Sequence, residues 1–498
     1  MTILIEPTAT RVIHVRGHEL PTGNFIGGQW IDLDETFQVT NPATGAIIGE
    51  VSNATGEHAL AALDAANAAQ AEWGGMDPRA RARLLRGALD LMRDRARQFS
   101  DTMTAESGKP TGEAMSEFAL SAGFFEWVTE QIAHVNGTYG VGSNPGYRVI
   151  TSHHPIGPSL LVTPWNFPML MGARKISAAL AAGCTVIVKS AQQTPLTLTL
   201  LVKTLDDAGI PAGVVNLLHT TKSSGISSPL LNDRRLKKLS FTGSTGVGSR
   251  LLELAAKNVV NSSMELGGNA AFIVADDADI DLAVREAITC KFRNAGQACV
   301  AANRFILHSA IAEEFTEKFV AATKQLVVGD GYASDTFMGP LISADQRVRI
   351  HSLVQSAIAD GADLLAGGTE INGPGNFYEP TVIRGVDRAS RMACEELFGP
   401  VAVLHTVDSI AEAVDFANDT EFGLASYVFT RDISRAIRIG EQLHCGMVGI
   451  NRGIMADPVA PFGGTGSSGL GREGGEHGIQ EFLEPHYIAL TIDEEAAN

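Results

Sequence analysis

The rhythm of hydrophobic and polar positions changes along this chain and divides it into parts. Over residues 77–99 the period is helical: Leu85, Leu89, Met92, Ala96 and Phe99 recur at alternating spacings of four and three, with arginines on the other face. Asp77-Pro78 heads that stretch as an N-cap residue followed by proline at the first helical position. From about residue 158 short apolar runs alternate with helical periods. The runs at 160–163, 185–189, 214–218 and 239–242 predict buried strands, and the intervals 169–182, 195–208 and 226–235 predict helices. Such alternation predicts a parallel, doubly wound sheet. A second series begins at 271–275 and continues past 426–430. Residues 147–152 and 486–490 alternate one by one, as half-exposed strands do.

Length and composition narrow the picture. The 498 residues exceed what one ordinary core accommodates, so two or more domains are expected. A chain 45% hydrophobic and 19% charged is globular and soluble in type. Its net charge of −18 argues against nucleic acid or an anionic membrane surface as partner. The same charge means that an anionic substrate needs local arginines. The five cysteines (184, 290, 299, 394 and 445) show no paired spacing, which indicates neither a disulfide framework nor a metal site. An odd count fits a reducing cytoplasm. The first residues lack the basic start and apolar stretch of a signal peptide, and no apolar run approaches ~20 residues, so no membrane span is expected.

Three segments carry candidate chemistry. Cys299 follows Gly296-Gln-Ala, where the backbone can turn tightly and aim amides at a ligand. A thiol so placed is a candidate nucleophile, although a lone cysteine is more often a small core residue. Upstream stand Met264-Glu265-Leu-Gly-Gly-Asn269 and Pro164-Trp-Asn-Phe-Pro168. Together these segments resemble the signatures of the aldehyde dehydrogenase superfamily, with Glu265 thirty-four positions before Cys299. The resemblance runs from Ile26-Gly-Gly-Gln-Trp30 through Glu396-Leu-Phe-Gly-Pro400 to Gly469-Leu-Gly-Arg-Glu473.

That resemblance implies an α/β fold with a Rossmann-type cofactor domain (1–136 and 156–267), a catalytic domain (268–468) and small oligomerisation strands (137–155 and 482–498). It implies Cys299 as nucleophile, Glu265 as general base and Asn166 as a side-chain oxyanion donor beside the Cys299 amide. The cofactor is expected to be NAD or NADP. Phe241-Thr-Gly243-Ser244 follows a predicted strand and precedes a predicted helix from 247 to about 257, which suits a pyrophosphate. Its glycines run G-x-x-G-x-G, unlike the standard fingerprint. By resemblance Lys189 meets the adenosine ribose, Glu396 the nicotinamide ribose, and Trp165, Asn166, Leu266 and Phe398 flank the cofactor path. Gln192 stands where many NAD-preferring members carry glutamate, so acceptance of NADP is expected.

Arg174, Arg293 and Ser468 match positions that bind the substrate carboxylate in succinate-semialdehyde dehydrogenases, the subgroup that this chain most resembles. Two guanidinium groups facing one carboxylate make physical sense in an acidic protein. Thr465-Gly-Ser467 departs from the Val-Lys-Gln of close relatives, which keeps glutarate semialdehyde or a wider range of aldehydes open. A CoA-acylating enzyme typically lacks the base glutamate, and a non-catalytic relative would have lost Cys299, Glu265 or Asn166. Ala301 stands where some relatives place a second cysteine, so no local disulfide switch is expected. A homodimer or homotetramer is expected from the terminal strands.

Overall fold

The computed structural model describes residues 10–492. The amino-terminal stretch expected to carry no signal peptide falls largely in 1–9, and the end of the expected oligomerisation strand in 493–498; both lie outside the described residues. Two large sheets dominate the architecture. The first has eight strands, in the order 469–470, 261–265, 238–242, 159–162, 186–189, 215–218, 24–26 and 29–31. Its five central strands are parallel. Ser159–Val162 sits between Val186–Lys189 and Lys238–Thr242, so successive strands are laid down first on one side of it and then on the other. Ligands bind at such a switch point, outside the carboxyl ends of the strands. Residues 164–168 leave the Ser159–Val162 strand there.

The second sheet has seven strands in the order 363–366, 381–384, 401–407, 302–308, 270–274, 425–429 and 447–450. All its pairings are parallel except that of Asp363–Ala366 at the edge. Continuous apolar runs form these central strands because both faces are covered: all five residues of Ala270–Val274 and all five of Ala425–Phe429 are buried. Glu265, Gly267 and Gly268 lie on the crossing from the first sheet to the second. A third sheet joins Thr138–Val141, Tyr147–Pro155 and Leu483–Thr491, all antiparallel.

The doubly wound sheet and the Asp77 cap appear as the hydrophobic pattern predicts. Helix Pro78–Asp94 begins with the Asp77 carboxylate accepting from the amides of Arg79 and Ala80. The single helical period over 77–99 is broken, however, into Pro78–Asp94 and Ala96–Ser107. Arg95 adopts φ −98° and ψ 10°, and its guanidinium bonds Thr204 at 3.0 Å and Asp207 at 2.6 Å on a neighbouring helix. A tertiary anchor thus bends a chain whose local period would run straight on.

Two helix starts are capped from a distance. The Glu106 carboxylate accepts from the amides of Leu196 and Thr197, at the head of Leu196–Asp207. Glu117 does the same for Met169 and Leu170, at the head of Pro168–Ala182. Neither helix has a side-chain cap of its own, so the two glutamates satisfy donors that would otherwise be buried and open.

Candidate active site

Cys299 ends a short loop held in an uncommon conformation. Asn294, Ala295 and Gly296 have φ of 52°, 55° and 69° in succession. A left-handed conformation costs a non-glycine residue about 1 kcal/mol or more, so the surroundings must hold it. Asn294 donates its amide to both Glu113 oxygens (3.2 and 3.0 Å) and its side-chain NH₂ to the Asn166 carbonyl (2.9 Å). Gln297 donates to the carbonyls of Asn294 and Pro340 and accepts from Ile342. Asn166 in turn donates Nδ2 to the Gln297 carbonyl at 3.0 Å. Gly268 packs so closely on this loop that a Cβ there would stand 2.4 Å from the Cys299 carbonyl oxygen. The segment carrying Glu265 is thereby locked to the segment carrying the thiol.

Two cavities meet at Cys299. One, of about 320 Å³, is lined by Arg174, Arg293, Glu113, Phe167, Phe462 and Val300 among others. The other, of about 310 Å³, is lined by Trp165, Asn166, Gly243, Ser244, Leu266, Glu396 and Phe398, together with Gln346 and Arg349. Trp165 and Phe398 meet edge to face at 5.3 Å. Glu396 accepts the Gly268 amide at 3.1 Å, and burial pushes its carboxyl up to about 7. Burial also raises the Cys299 thiol, pushed up to about 12, with Glu396 adding to the shift and Arg174 opposing it. The thiol is therefore neutral at rest.

The second cavity fits a dinucleotide. Helix Thr245–Ala256 opens on it at Ser244, which makes no side-chain cap, so the first amides of that helix stay open to an anion. Lys189 is only 7% exposed, its ammonium forms no hydrogen bond or ion pair with any described residue, and burial lowers that ammonium to about 8. A buried cation without a partner fits a polar ligand group. Lys189 and Gln192 stand outside the cavity lining, and Gln192 is exposed. Among the described residues no cluster of three His, Cys, Asp or Glu side chains could hold a metal ion.

Arg174 and Arg293 both line the first cavity. Arg174 lies over the Phe462 ring at 4.2 Å and pairs through Nε with Glu473 at 2.5 Å, while its Nη1 is buried without a partner. Arg293 lies over Phe167 at 5.6 Å and makes no hydrogen bond or ion pair with the described residues. Ser468 is the correction. It is fully buried and lines neither cavity; its hydroxyl donates to the Gly267 carbonyl (2.7 Å) and accepts the Gly423 amide (2.9 Å). The cause is local: Gly469–Leu470 pairs with Met264 and Glu265, which places Ser468 under the Glu265–Gly268 backbone and outside both cavities. Its hydroxyl fastens two loops.

Glu265 also lies off both cavities. One carboxylate oxygen packs on Gly463, where a Cβ would stand 2.7 Å away, and the other is buried without a partner. Burial and the neighbouring Glu473 raise its carboxyl well above the usual range, against Arg174 and Lys175. For Glu473, burial is outweighed by Arg174 and Lys175, so it stays an anion. Lys109, Glu113, Glu117, Lys175 and Glu473 are site residues that sequence reasoning missed. The one signal in the chain is Glu113 and Glu117 at i, i+4 without an intervening cation, a spacing that disfavours an isolated helix.

Residues 30–488 match the model of the aldehyde dehydrogenase family. The chain belongs to that family. It is 47% identical to a succinate-semialdehyde dehydrogenase of Paenarthrobacter nicotinovorans, over 89% of this chain and 99% of that protein. It is 43% identical to a glutarate-semialdehyde dehydrogenase of Pseudomonas putida, over 94% of this chain and 97% of that one. The crystal structure of an Escherichia coli NADP-dependent enzyme superposes with a TM-score of 0.94 at 41% identity, covering 95% of this chain and 98% of that one. The doubly wound fold expected of an aldehyde dehydrogenase is the one observed. Among the described residues no helix is long and apolar enough to cross a membrane.

Replacing Ser468 with alanine leaves the Gly423 amide and the Gly267 carbonyl unpaired, which costs about 1–3 kcal/mol. The Ser468→Ala enzyme is expected to lose thermal stability and to lose activity equally on carboxylated and uncharged aldehydes. A selective loss on carboxylated aldehydes in steady-state kinetics would return Ser468 to the substrate site.

Proposed function

We propose that this aldehyde dehydrogenase oxidises succinic semialdehyde to succinate with NADP or NAD. One observation carries the substrate class: Arg174 Nη1, buried and unpartnered, and the unpaired Arg293 share the cavity that ends at Cys299. An ω-carboxylate held by both guanidinium groups leaves its aldehyde at the thiol. Glutarate semialdehyde, one methylene longer, is the second reading, favoured by the relative of that name and by the departure at 465–467.

The Cys299 thiol gives its proton to solvent water as its sulfur adds to the aldehyde carbon; the C–S bond of a thiohemiacetal forms and the carbonyl π pair moves onto oxygen. The oxyanion takes donors from the Asn166 side chain, whose other N–H is spent on Gln297, and from the Cys299 amide; one such donor is typically worth about 3 kcal/mol. A nicotinamide cofactor, when bound, would supply the hydride acceptor for this step; Ser244 and the open amides of helix Thr245–Ala256 would hold its pyrophosphate, and Lys189 and Glu396 its riboses. Glu265, once its side chain rotates from Gly463 toward Cys299, takes a proton from water; hydroxide attacks the acyl carbon and the C–S bond breaks. Because its carboxyl is raised, Glu265 is a competent base only at higher pH, so acyl release gains with rising pH and is lost as pH falls.

We assign 1–136 and 156–267 to the cofactor domain, 268–468 to the catalytic domain, and 137–155 and 482–498 to the oligomerisation strands; the strand Gly469–Leu470, beyond 468, pairs into the first sheet. By register the three-stranded sheet exposes Tyr139, Val141, Ile488 and Leu490 on one face, an apolar row that favours a homodimer or homotetramer. The resting place is the cytoplasm, where the thiol stays reduced.

Glu265→Gln should keep a stoichiometric burst of reduced cofactor while steady-state turnover falls about 100-fold or more, and Cys299→Ala should abolish both. A lost burst in Glu265→Gln would remove the base assignment. Arg293→Ala should lower kcat/KM for succinic semialdehyde by roughly 30-fold or more relative to butanal. It is a cleaner test than Arg174→Ala, which also removes one of the two cations paired with Glu473; equal losses on both aldehydes would end the carboxylate reading. For the cofactor, Gln192→Glu should depress kcat/KM with NADP about tenfold relative to NAD, since a carboxylate there repels a 2′-phosphate. An unchanged ratio would place cofactor choice elsewhere.

A further inference from the structure

The substrate cavity holds a carboxyl group that the reaction does not use. Glu113, on helix Thr111–Gln131, lines the same wall as Arg293. Its one hydrogen-bond partner among the described residues is the Asn294 amide, next in the chain to Arg293. The charged groups bearing on it are few. Arg293 and Lys109 favour its anion and Glu117 opposes it. Lys109 is itself engaged by Glu117 at 2.5 Å, and Arg174, which shares the cavity, is engaged by Glu473. The cation free to answer Glu113 is therefore Arg293, the same group that the carboxylate clamp needs.

We propose that Glu113 is a specificity residue, a carboxyl in the cavity wall that makes recognition of the substrate's carboxylate depend on pH. This rests on the clamp reading above. Neutral Glu113 leaves the Arg293 charge to the substrate and offers an O–H donor to it. Anionic Glu113 draws on Arg293 and repels the incoming carboxylate. Burial pushes this carboxyl up to about 7, against Arg293 and Lys109. Carboxylate recognition is therefore complete below that value and weakens as pH rises through it. An uncharged aldehyde in the same cavity meets no such change. Glu113→Gln keeps an oxygen acceptor for the Asn294 amide, so the nucleophile loop retains its support.

The test is the ratio of kcat/KM for succinic semialdehyde to that for butanal, measured from pH 6 to pH 8.5 on the full-length enzyme. Titration of Cys299 and Glu265 affects both substrates and cancels in the ratio. In the wild type the ratio is expected to fall roughly tenfold across the range, and in Glu113→Gln to stay level near its low-pH value. A wild-type ratio that is large but independent of pH, or one that falls equally in the variant, overturns the role of Glu113 and leaves the clamp intact. A ratio near one at every pH overturns the clamp itself. Should Glu113→Gln fail to fold, calorimetry of succinate binding to the wild type near pH 7, in buffers of different ionisation enthalpy, reads the same event. Proton uptake with succinate but not with butyramide supports the proposal, and its absence with both overturns it.

Discussion

A buried ion pair between Lys109 and Glu117 underlies the placement of nearly every group at the site. The two side chains are 1% and 2% exposed and stand 2.5 Å apart. Lys109 also donates to the Asn166 carbonyl at 2.8 Å, and the second Glu117 oxygen caps helix Pro168–Ala182. One pair therefore fixes the Asn166 backbone and the start of the helix that carries Arg174 and Lys175. Such a pair adds little net stability over a well-packed apolar substitute, but losing one partner strands a buried charge at a cost of about 3–5 kcal/mol. Its value here lies in geometry: a charge-assisted network tolerates one arrangement, and that arrangement aims Asn166.

Specificity and base catalysis share one set of charges. Glu473 binds Arg174 and Lys175, and Lys175 also donates to Ser240 at 2.9 Å. Gly469–Leu470, paired to Met264 and Glu265, brings Glu473 to the same neighbourhood as the base. Phe462 stacks on Arg174 while its neighbour Gly463 packs on the Glu265 carboxylate. A short strap at 462–463 thus touches both the group that would hold the substrate's tail and the group that would activate water. Substitutions in either place are not independent, because they share partners.

The fold was legible in the sequence because its signal is periodic. Apolar runs buried on both faces, alternating with helical periods, suit a doubly wound sheet and little else, and the strands at 159–162, 186–189, 215–218 and 238–242 fall where those runs lie. The break at Arg95 was invisible because its cause is a pair of residues more than a hundred positions away. The same limit governs the site. Cys299, Glu265 and Asn166 stand in short contiguous segments, so their neighbours betray them. Glu113, Glu117, Lys109 and Glu473 act across the fold, and beyond the i, i+4 spacing of the first two their neighbours in the chain do not say what they touch. Ser468 misled for the converse reason: its local segment matched a pattern, but the strand beside it turned the hydroxyl toward backbone.

Burial biases both Cys299 and Glu265 toward their neutral forms. Burial and Glu396 raise the Cys299 thiol, and burial and Glu473 raise the Glu265 carboxyl. Arg174 opposes both shifts, yet part of its charge is spent on Glu473. Both shifts come first from burial and second from a neighbouring carboxylate, in a protein whose net charge is −18. A substrate that brings another negative charge adds to these carboxylates unless the cavity sheds a charge of its own. Glu113, half-buried beside Arg293, is the one carboxyl in the wall of that cavity not already answered by a lysine or arginine in direct contact. In an acidic enzyme that takes an anionic substrate, charge balance in the cavity makes proton uptake part of binding.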